Sequence, residues 1–182
     1  MTKILTVCTG NICRSPAAAV LLRAYLGDVV RPASAGTHAV PDGQVPEPML
    51  AHLDASGFDA RCHRAHQLTP ATVREAEVIA TMTVAHRTEV VKMAPTAMKK
   101  TFALGELATA ARLGVPLEGA DVKARISALP AALQPLRGHL TAAGIRDIPD
   151  PYRKNAAAYA KAYSMIDEDC QTIARWLMTE PR

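Results

Sequence analysis

Cys8-Thr9-Gly10-Asn11-Ile12-Cys13-Arg14-Ser15 sets a cysteine, five further residues, and then an Arg-Ser pair. The thiolate of a cysteine is a strong nucleophile, and an arginine fork can grip two phosphoryl oxygens at once. Gly10-Asn11 tolerates positive φ, so the chain can curl tightly between them. Ser15-Pro16 reads as a helix start, with Ser15 as the N-cap and the proline at the first helical position. A tight loop that runs into a helix N-terminus aims several backbone N–H groups at one point, which makes an anion site. The same field favours thiolate over thiol at Cys8. A nucleophile inside a phosphate cradle points to phosphoryl transfer to sulfur. The expected ligand contacts are therefore Thr9, Gly10, Asn11, Ile12, Cys13 and Ser15 around Cys8 and Arg14.

Cys13 has a second expected role. A nucleophilic thiolate is easily oxidised to the sulfenic acid, and a loop curled around one anion brings Cys13 near Cys8. A disulfide needs Cα atoms within roughly 7 Å, which such a curl permits. Cys13 is thus the expected redox partner of Cys8, whereas Cys62 and Cys170 are isolated and read as buried thiols.

These residues need a scaffold. Thr2 to Val7 is a short β-branched, apolar run that stops at Cys8, and it reads as a first strand. Further strands are expected at Val29 to Ala33, closed by Gly36, at Glu77 to Met82 and at Thr101 to Leu104. Helices are expected over Ala17 to Leu26, Met49 to Ser56, Val84 to Met93 and Ala156 to Leu177. The last carries an apolar stripe at Tyr159, Tyr163, Ile166 and Cys170. Strands that alternate with helices imply a parallel sheet covered on both faces, with ligands beyond the carboxyl ends of the strands. Residues 105–146 break the pattern. They are alanine-rich, helical in period, interrupted by Pro116, Pro130 and Pro135, and carry no evident chemistry.

Composition narrows the class. A chain of 182 residues, 49% of them apolar, makes one domain with a real core. Lys plus Arg exceed Asp plus Glu by 21 to 17, spread along the chain, and there are only four Tyr, two Phe and one Trp for stacking. Nucleic-acid binding is therefore not expected. No apolar run approaches the roughly 20 residues of a membrane span, and the N-terminus has no signal-like region. Four irregularly spaced cysteines make neither a disulfide framework nor a zinc site, so a reducing cytoplasm without metal or cofactor is expected.

The stretch VCTGNICRSP resembles the active-site loop of the low-molecular-weight protein tyrosine phosphatases of bacterial type. The family's second signature is present as Asp150-Pro151-Tyr152 before the last helix. Ser34-Ala35-Gly36-Thr37 resembles its loop after strand two. His63-Arg64-Ala65-His66-Gln67-Leu68 resembles its His-x-Ala-Arg-Gln segment, with His66 where arginine is usual. The likeness runs from residue 3 to 104 and resumes at 147.

The resemblance implies a flavodoxin-like three-layer α/β/α domain over residues 1–182. Its four-stranded parallel twisted sheet would have the order 2-1-3-4, with a helical insertion at 105–146 before the Asp-Pro-Tyr loop. It implies Cys8 as nucleophile, Arg14 as phosphate clamp, and Ser15 as hydroxyl donor to the thiolate. Asn11, with Ser34 and His63 as partners, would hold the loop in shape. Asp150 would be general acid and then base, with Asp147 the competing carboxylate. Tyr152 and Ile12 would contact the substrate ring. The implied substrates are phosphotyrosine proteins or small aryl phosphates, with phosphate and vanadate as inhibitors. An arsenate reductase on the same scaffold, or a non-catalytic phosphate-binding module, are the alternatives. The reductase needs further cysteines on a mobile segment, and Thr81 to Lys99 holds none. The insertion reads as a lid, a dimerisation element or an inert addition, and its removal is expected to leave the phosphate loop intact.

Overall fold

The alternating apolar run TKILTVC forms the first strand, β1 (Thr2–Cys8), because a strand can bury a different side chain on each face. Ile4 and Cys8 face one core, and Leu5 and Val7 face another. The computed structural model describes residues 2–179; position 1 and positions 180–182 of the expected domain lie outside the described residues.

From β1 the chain runs through α1 (Arg14–Leu26), β2 (Val30–Gly36) and α2 (Glu47–Ala55) to α3 (Pro70–Glu75) and β3 (Val78–Thr81). It continues through α4 (Val84–Met93), β4 (Thr101–Ala103), α5 (Leu104–Arg112), α6 (Val122–Leu133) and α7 (Arg137–Ala142) to the long α8 (Ala156–Met178). The sheet is all parallel in the order β2-β1-β3-β4, as expected. Cys8 pairs with Gly36 at one register position, and Val7 with Thr81, so the loop after β1 leaves from the carboxyl edge of the sheet.

Three expectations need correction. Helix α1 begins at Arg14, its N-cap is Cys13, and no side chain caps it, so Ser15 is not the cap. Its hydroxyl is engaged by loop residues instead, and that tertiary pairing prevails over the local capping pattern. Helix α3 was not anticipated, although Thr69-Pro70 starts it and the Thr69 hydroxyl accepts the Thr72 N–H.

The third correction concerns residues 105–146. Leu107 of α5, Ile126, Leu129 and Leu133 of α6, and Leu140 of α7 are all buried in the larger core. Fully burying one such side chain contributes roughly 1.5–3 kcal/mol, so these helices are part of the domain rather than an inert addition. Their removal would strip the core face of α8. Pro130 sits inside α6 without ending it. Trp176 of α8 donates its indole N–H to Val115 O, at 2.8 Å, and so ties the loop after α5 to the last helix.

Candidate active site

Beyond Gly36 the chain that follows β2 runs alongside the loop that follows β1. Thr37 N–H donates to Cys8 O at 2.9 Å, His38 N–H to Thr9 O at 2.9 Å, and Val40 N–H to Gly10 O at 3.0 Å. Those bonds turn three loop carbonyls outward. Among the described residues no backbone N–H from Thr9 to Cys13 donates to a protein acceptor. A row of N–H groups with a helix N-terminus behind it is the anion-binding arrangement anticipated above.

Asn11 fixes the curl. It holds a left-handed φ of 52°, which an asparagine tolerates better than most residues. Its Nδ2 donates to Ser15 Oγ at 2.9 Å, its Oδ1 accepts the His66 N–H at 2.7 Å, and its carbonyl meets His63 Nε2 at 2.7 Å. Burial pushes the His63 imidazole below its ordinary value, and the bond to the Asn11 carbonyl opposes that. Ser34 takes no part in this support. It lies half-buried beside Lys3, Leu5, His66 and Thr72, in a cleft away from the loop. The backbone N–H of His66 fills the place expected for Ser34.

Ser15 Oγ lies 3.0 Å from Cys8 Sγ and 3.4 Å from Ala35 O. Oγ accepts from Asn11, and its own proton can go to Ala35 O or to the sulfur; against a Cys8 thiolate, which has no proton, the hydroxyl is the donor.

Arg14 is buried, and its fork reaches across the loop. One Nη donates to Ile148 O at 3.2 Å, and the other lies 2.9 Å from Asp150 Oδ2. Asp150 is half exposed, and its Oδ1 accepts the Tyr152 N–H at 3.1 Å, so it is also a turn aspartate. Asp147 is placed differently: its Oδ1 accepts the Val84 N–H at 2.9 Å, the first N–H of α4, whose N-cap is Thr83. Of the two carboxylates, Asp150 lines the cavity.

That cavity holds about 160 Å³ and is lined by Cys8, Thr9, Gly10, Ile12, Cys13, Arg14, His38, Val40, Asp150 and Tyr152. It gathers Cys8, Arg14, Asp150 and Tyr152 from opposite ends of the sequence. A larger cleft, of about 640 Å³ beside Arg23 and Asp59, has no cysteine in its lining. Ile12, Val40 and Tyr152 give the mouth apolar faces, and the Arg153 guanidinium sits 5.1 Å from the Tyr152 ring centroid.

Several residues fall outside the sequence-based expectations. The Thr9 hydroxyl is taken up by His86 Nε2 at 2.8 Å, leaving Thr9 its backbone N–H as a ligand contact. His86 is buried and also bonds Thr83 Oγ1 at 2.8 Å. Burial lowers its affinity for a proton, and the nearby Arg14 charge lowers it further. The Thr83-x-x-His86 spacing at a helix start was the available signal. His38 and Val40 carried none, because their place depends on how β2 continues past Gly36. Cys13 is buried, and burial, then the neighbouring Cys8, push its thiol up to about 12.

The sequence profile of the family described as "Low molecular weight phosphotyrosine protein phosphatase" matches residues 3–122. The chain is 33% identical over 164 residues to "Probable low molecular weight protein-tyrosine-phosphatase EpsP" of Ralstonia nicotianae, covering 90% of this chain and 87% of that one. Among solved structures it is similar to Vibrio vulnificus Wzb in complex with benzylphosphonate, with a TM-score of 0.72 and 28% identity, covering 96% of this chain and 97% of that one. The YwlE arginine phosphatase from Geobacillus stearothermophilus gives a TM-score of 0.71 at 27% identity, covering 96% and 92%.

Proposed function

The chain belongs to the low molecular weight phosphotyrosine protein phosphatase family, and from that premise we propose that it hydrolyses phosphotyrosine or aryl phosphate monoesters through a phosphocysteine. The observation that carries this reading is the meeting of Cys8, the buried Arg14 fork and Asp150 in one cavity.

The phosphoryl group enters the cradle of loop N–H groups and displaces Asp150 from Arg14, which takes two of its oxygens while the released Asp150 carboxylate binds a proton. Cys8 Sγ, held by the Ser15 hydroxyl, attacks phosphorus in line. The bond from phosphorus to the aryl oxygen breaks, and Asp150 gives that oxygen its proton, so a phenol leaves. Asp150, now a carboxylate, takes a proton from water as the water attacks phosphorus. The sulfur–phosphorus bond breaks, phosphate is released, and the Cys8 thiolate is restored. Asn11 and His63 keep the loop curled throughout, and Arg14 bears the charge that develops on the equatorial oxygens.

An aryl substrate is favoured over a phosphorylated guanidine by the mouth itself. Ile12, Val40 and Tyr152 offer apolar faces to a ring, while Asp150, already paired with Arg14, is the one carboxylate in the lining. Disulfide relay to a thioredoxin has no support at this site, because Cys170 is fully buried on α8 against α1 and Cys62, exposed rather than buried as expected, does not line the cavity. No helix among the described residues is long and apolar enough to cross a membrane. The cytoplasm is the compartment that suits a chain dependent on a free thiol.

The test is turnover of an aryl phosphate. Cys8→Ser should abolish it while still binding phosphate or vanadate, and Asp150→Ala, given 4-nitrophenyl phosphate, should accumulate protein carrying a phosphoryl group on Cys8. Turnover that persists in Cys8→Ser, or that a chelator removes, overturns the reading.

A further inference from the structure

Asp150 must reach the leaving oxygen within about 3 Å, yet it rides on a segment without regular secondary structure between α7 and α8. Four anchor points precede or include it. Asp150 meets Arg14, Ile148 N–H donates to Met82 O at 2.9 Å, and Asp147 accepts the first N–H of α4. The fourth is Arg146, whose Nη2 lies 3.0 Å from Glu168 Oε2 and 2.9 Å from Asp169 Oδ1 on α8.

That last anchor is shared with the helices before it. Arg112 of α5 lies 3.0 Å from Glu168 Oε1 and 2.7 Å from the same Asp169 Oδ1. The Asp169 side chain is fully buried, with 0% exposed, so its charge depends on both guanidinium groups. Arg146 Nη2 beside Glu168 also holds that carboxyl below its ordinary range. The backbones meet as well: a Cβ on Gly105 of α5 would stand 2.3 Å from Arg146 O. Helix α5 is therefore pressed against the start of the acid-bearing segment and linked to it through two acids of α8.

We propose that Arg146 is a positioning residue which, with Arg112, Glu168 and Asp169, sets where Asp150 delivers its proton, so that α5 of the former "insertion" aligns the catalytic acid. This rests on reading Asp150 as the general acid. A clamp that only stabilises the fold would affect all substrates alike. One that aligns the acid affects those whose leaving group needs the proton.

The experiment compares kcat/KM for 4-nitrophenyl phosphate, whose leaving group departs unaided, and phenyl phosphate, whose leaving group does not. The proteins are the parent, Arg146→Met, Arg146→Lys, Glu168→Gln, Asp150→Asn and the double variant Arg146→Met/Asp150→Asn. A displacement of the order of 1 Å in a reacting group can lower rate by about 10²-fold. Arg146→Met should lower kcat/KM, which reports only the step that expels the leaving group, by about 10- to 100-fold for phenyl phosphate, with little change for 4-nitrophenyl phosphate. Arg146→Lys should recover most of the loss, and Glu168→Gln, at a half-exposed position, should show a smaller loss of the same kind. Added to Asp150→Asn, Arg146→Met should change the rate by less than about twofold.

Equal losses on both substrates, or full addition on top of Asp150→Asn, overturn the proposal. If Arg146→Met does not fold, Glu168→Gln decides: parental leaving-group behaviour in that protein overturns the proposal. A steep leaving-group effect in Asp150→Asn alone refutes the clamp and leaves the acid standing. No such effect in Asp150→Asn refutes the acid, and the clamp with it.

Discussion

Replacing Gly36 by alanine tests the phosphate loop without touching a group that does chemistry. An added Cβ would stand 2.4 Å from Thr9 O and 3.0 Å from both Asn11 Cβ and Asn11 N. Ordinary contact begins near 3.4 Å, so strand β2 and the loop must part by roughly 1 Å. Neither neighbour is the far end of a flexible side chain. Both belong to backbone held by the bonds from Thr37, His38 and Val40. Overpacking of this kind destabilises by about 1–3 kcal/mol. For a domain of this size that is about 2–12 °C in Tm. If half or more of the displacement falls on the loop, kcat should drop by roughly 10- to 100-fold, and inhibition by phosphate should weaken in parallel.

The assay is a thermal melt beside saturation kinetics on an aryl phosphate, with Gly138→Ala as control. Gly138 lies in α7 with nothing within 4 Å of an added Cβ, so that variant should melt slightly higher, by about 0.5–1 kcal/mol, at unchanged kcat. A Gly36→Ala protein with the parental Tm and kcat would refute the claim that close backbone approach shapes the cradle. A lower Tm with parental kcat would show that β2 yields and the loop does not.

Asp150→Ala should slow turnover by about 10²–10⁴, most for poor leaving groups, whereas Asp147→Ala should lose its bond to the Val84 N–H, about 1 kcal/mol, and roughly 2–4 °C in Tm with little leaving-group dependence. The reverse pattern would move the acid to Asp147. Both His63 and His86 bind protons less readily than an ordinary histidine at 6.5. The unfolded chain therefore protonates first as pH falls, and the stability present above 6.5 is lost progressively below it. Melts from pH 8 to about 5 should show this decline, and it should be shallower in His86→Gln; an identical slope removes His86 from the account. Mild peroxide should inactivate reversibly through a Cys8–Cys13 disulfide, with bound phosphate protecting. Because the Cys13 thiol is pushed up to about 12, the disulfide should form faster as pH rises. Equal recovery of the parent and Cys13→Ser on adding thiol would leave Cys13 as packing.

Strands β1, β3 and β4 were legible because each is a β-branched or apolar run with an abrupt end, and the cradle was legible because it is local. Cys8, Asn11, Arg14 and Ser15 lie within one turn of chain, so their types and spacing already specify what they can do together. What escaped was either polar and short, like α3, or dependent on partners far away in sequence. Ser15-Pro16 carries the usual mark of a cap, but the Asn11 amide and the Cys8 sulfur claim the hydroxyl. The expected Ser34 bond failed because strand pairing set Ser34 beside Thr6 and away from Asn11. Helices α5 to α7 show a helical period that says nothing of which surface they cover. The link from Arg146 to Glu168 and Asp169 spans more than 20 positions between residues that look like ordinary surface charges.

The indole bond from Trp176 to Val115 has a practical consequence. Trp176 is the single tryptophan of the chain, so intrinsic emission comes from one known place. Its ring is half-buried, with the N–H fixed on a carbonyl of the loop that follows α5. Lifting that loop off α8 would replace the carbonyl with water and shift the emission to the red. The protein thus carries its own optical gauge of whether the helices behind the acid are seated, readable in real time during turnover and without any label.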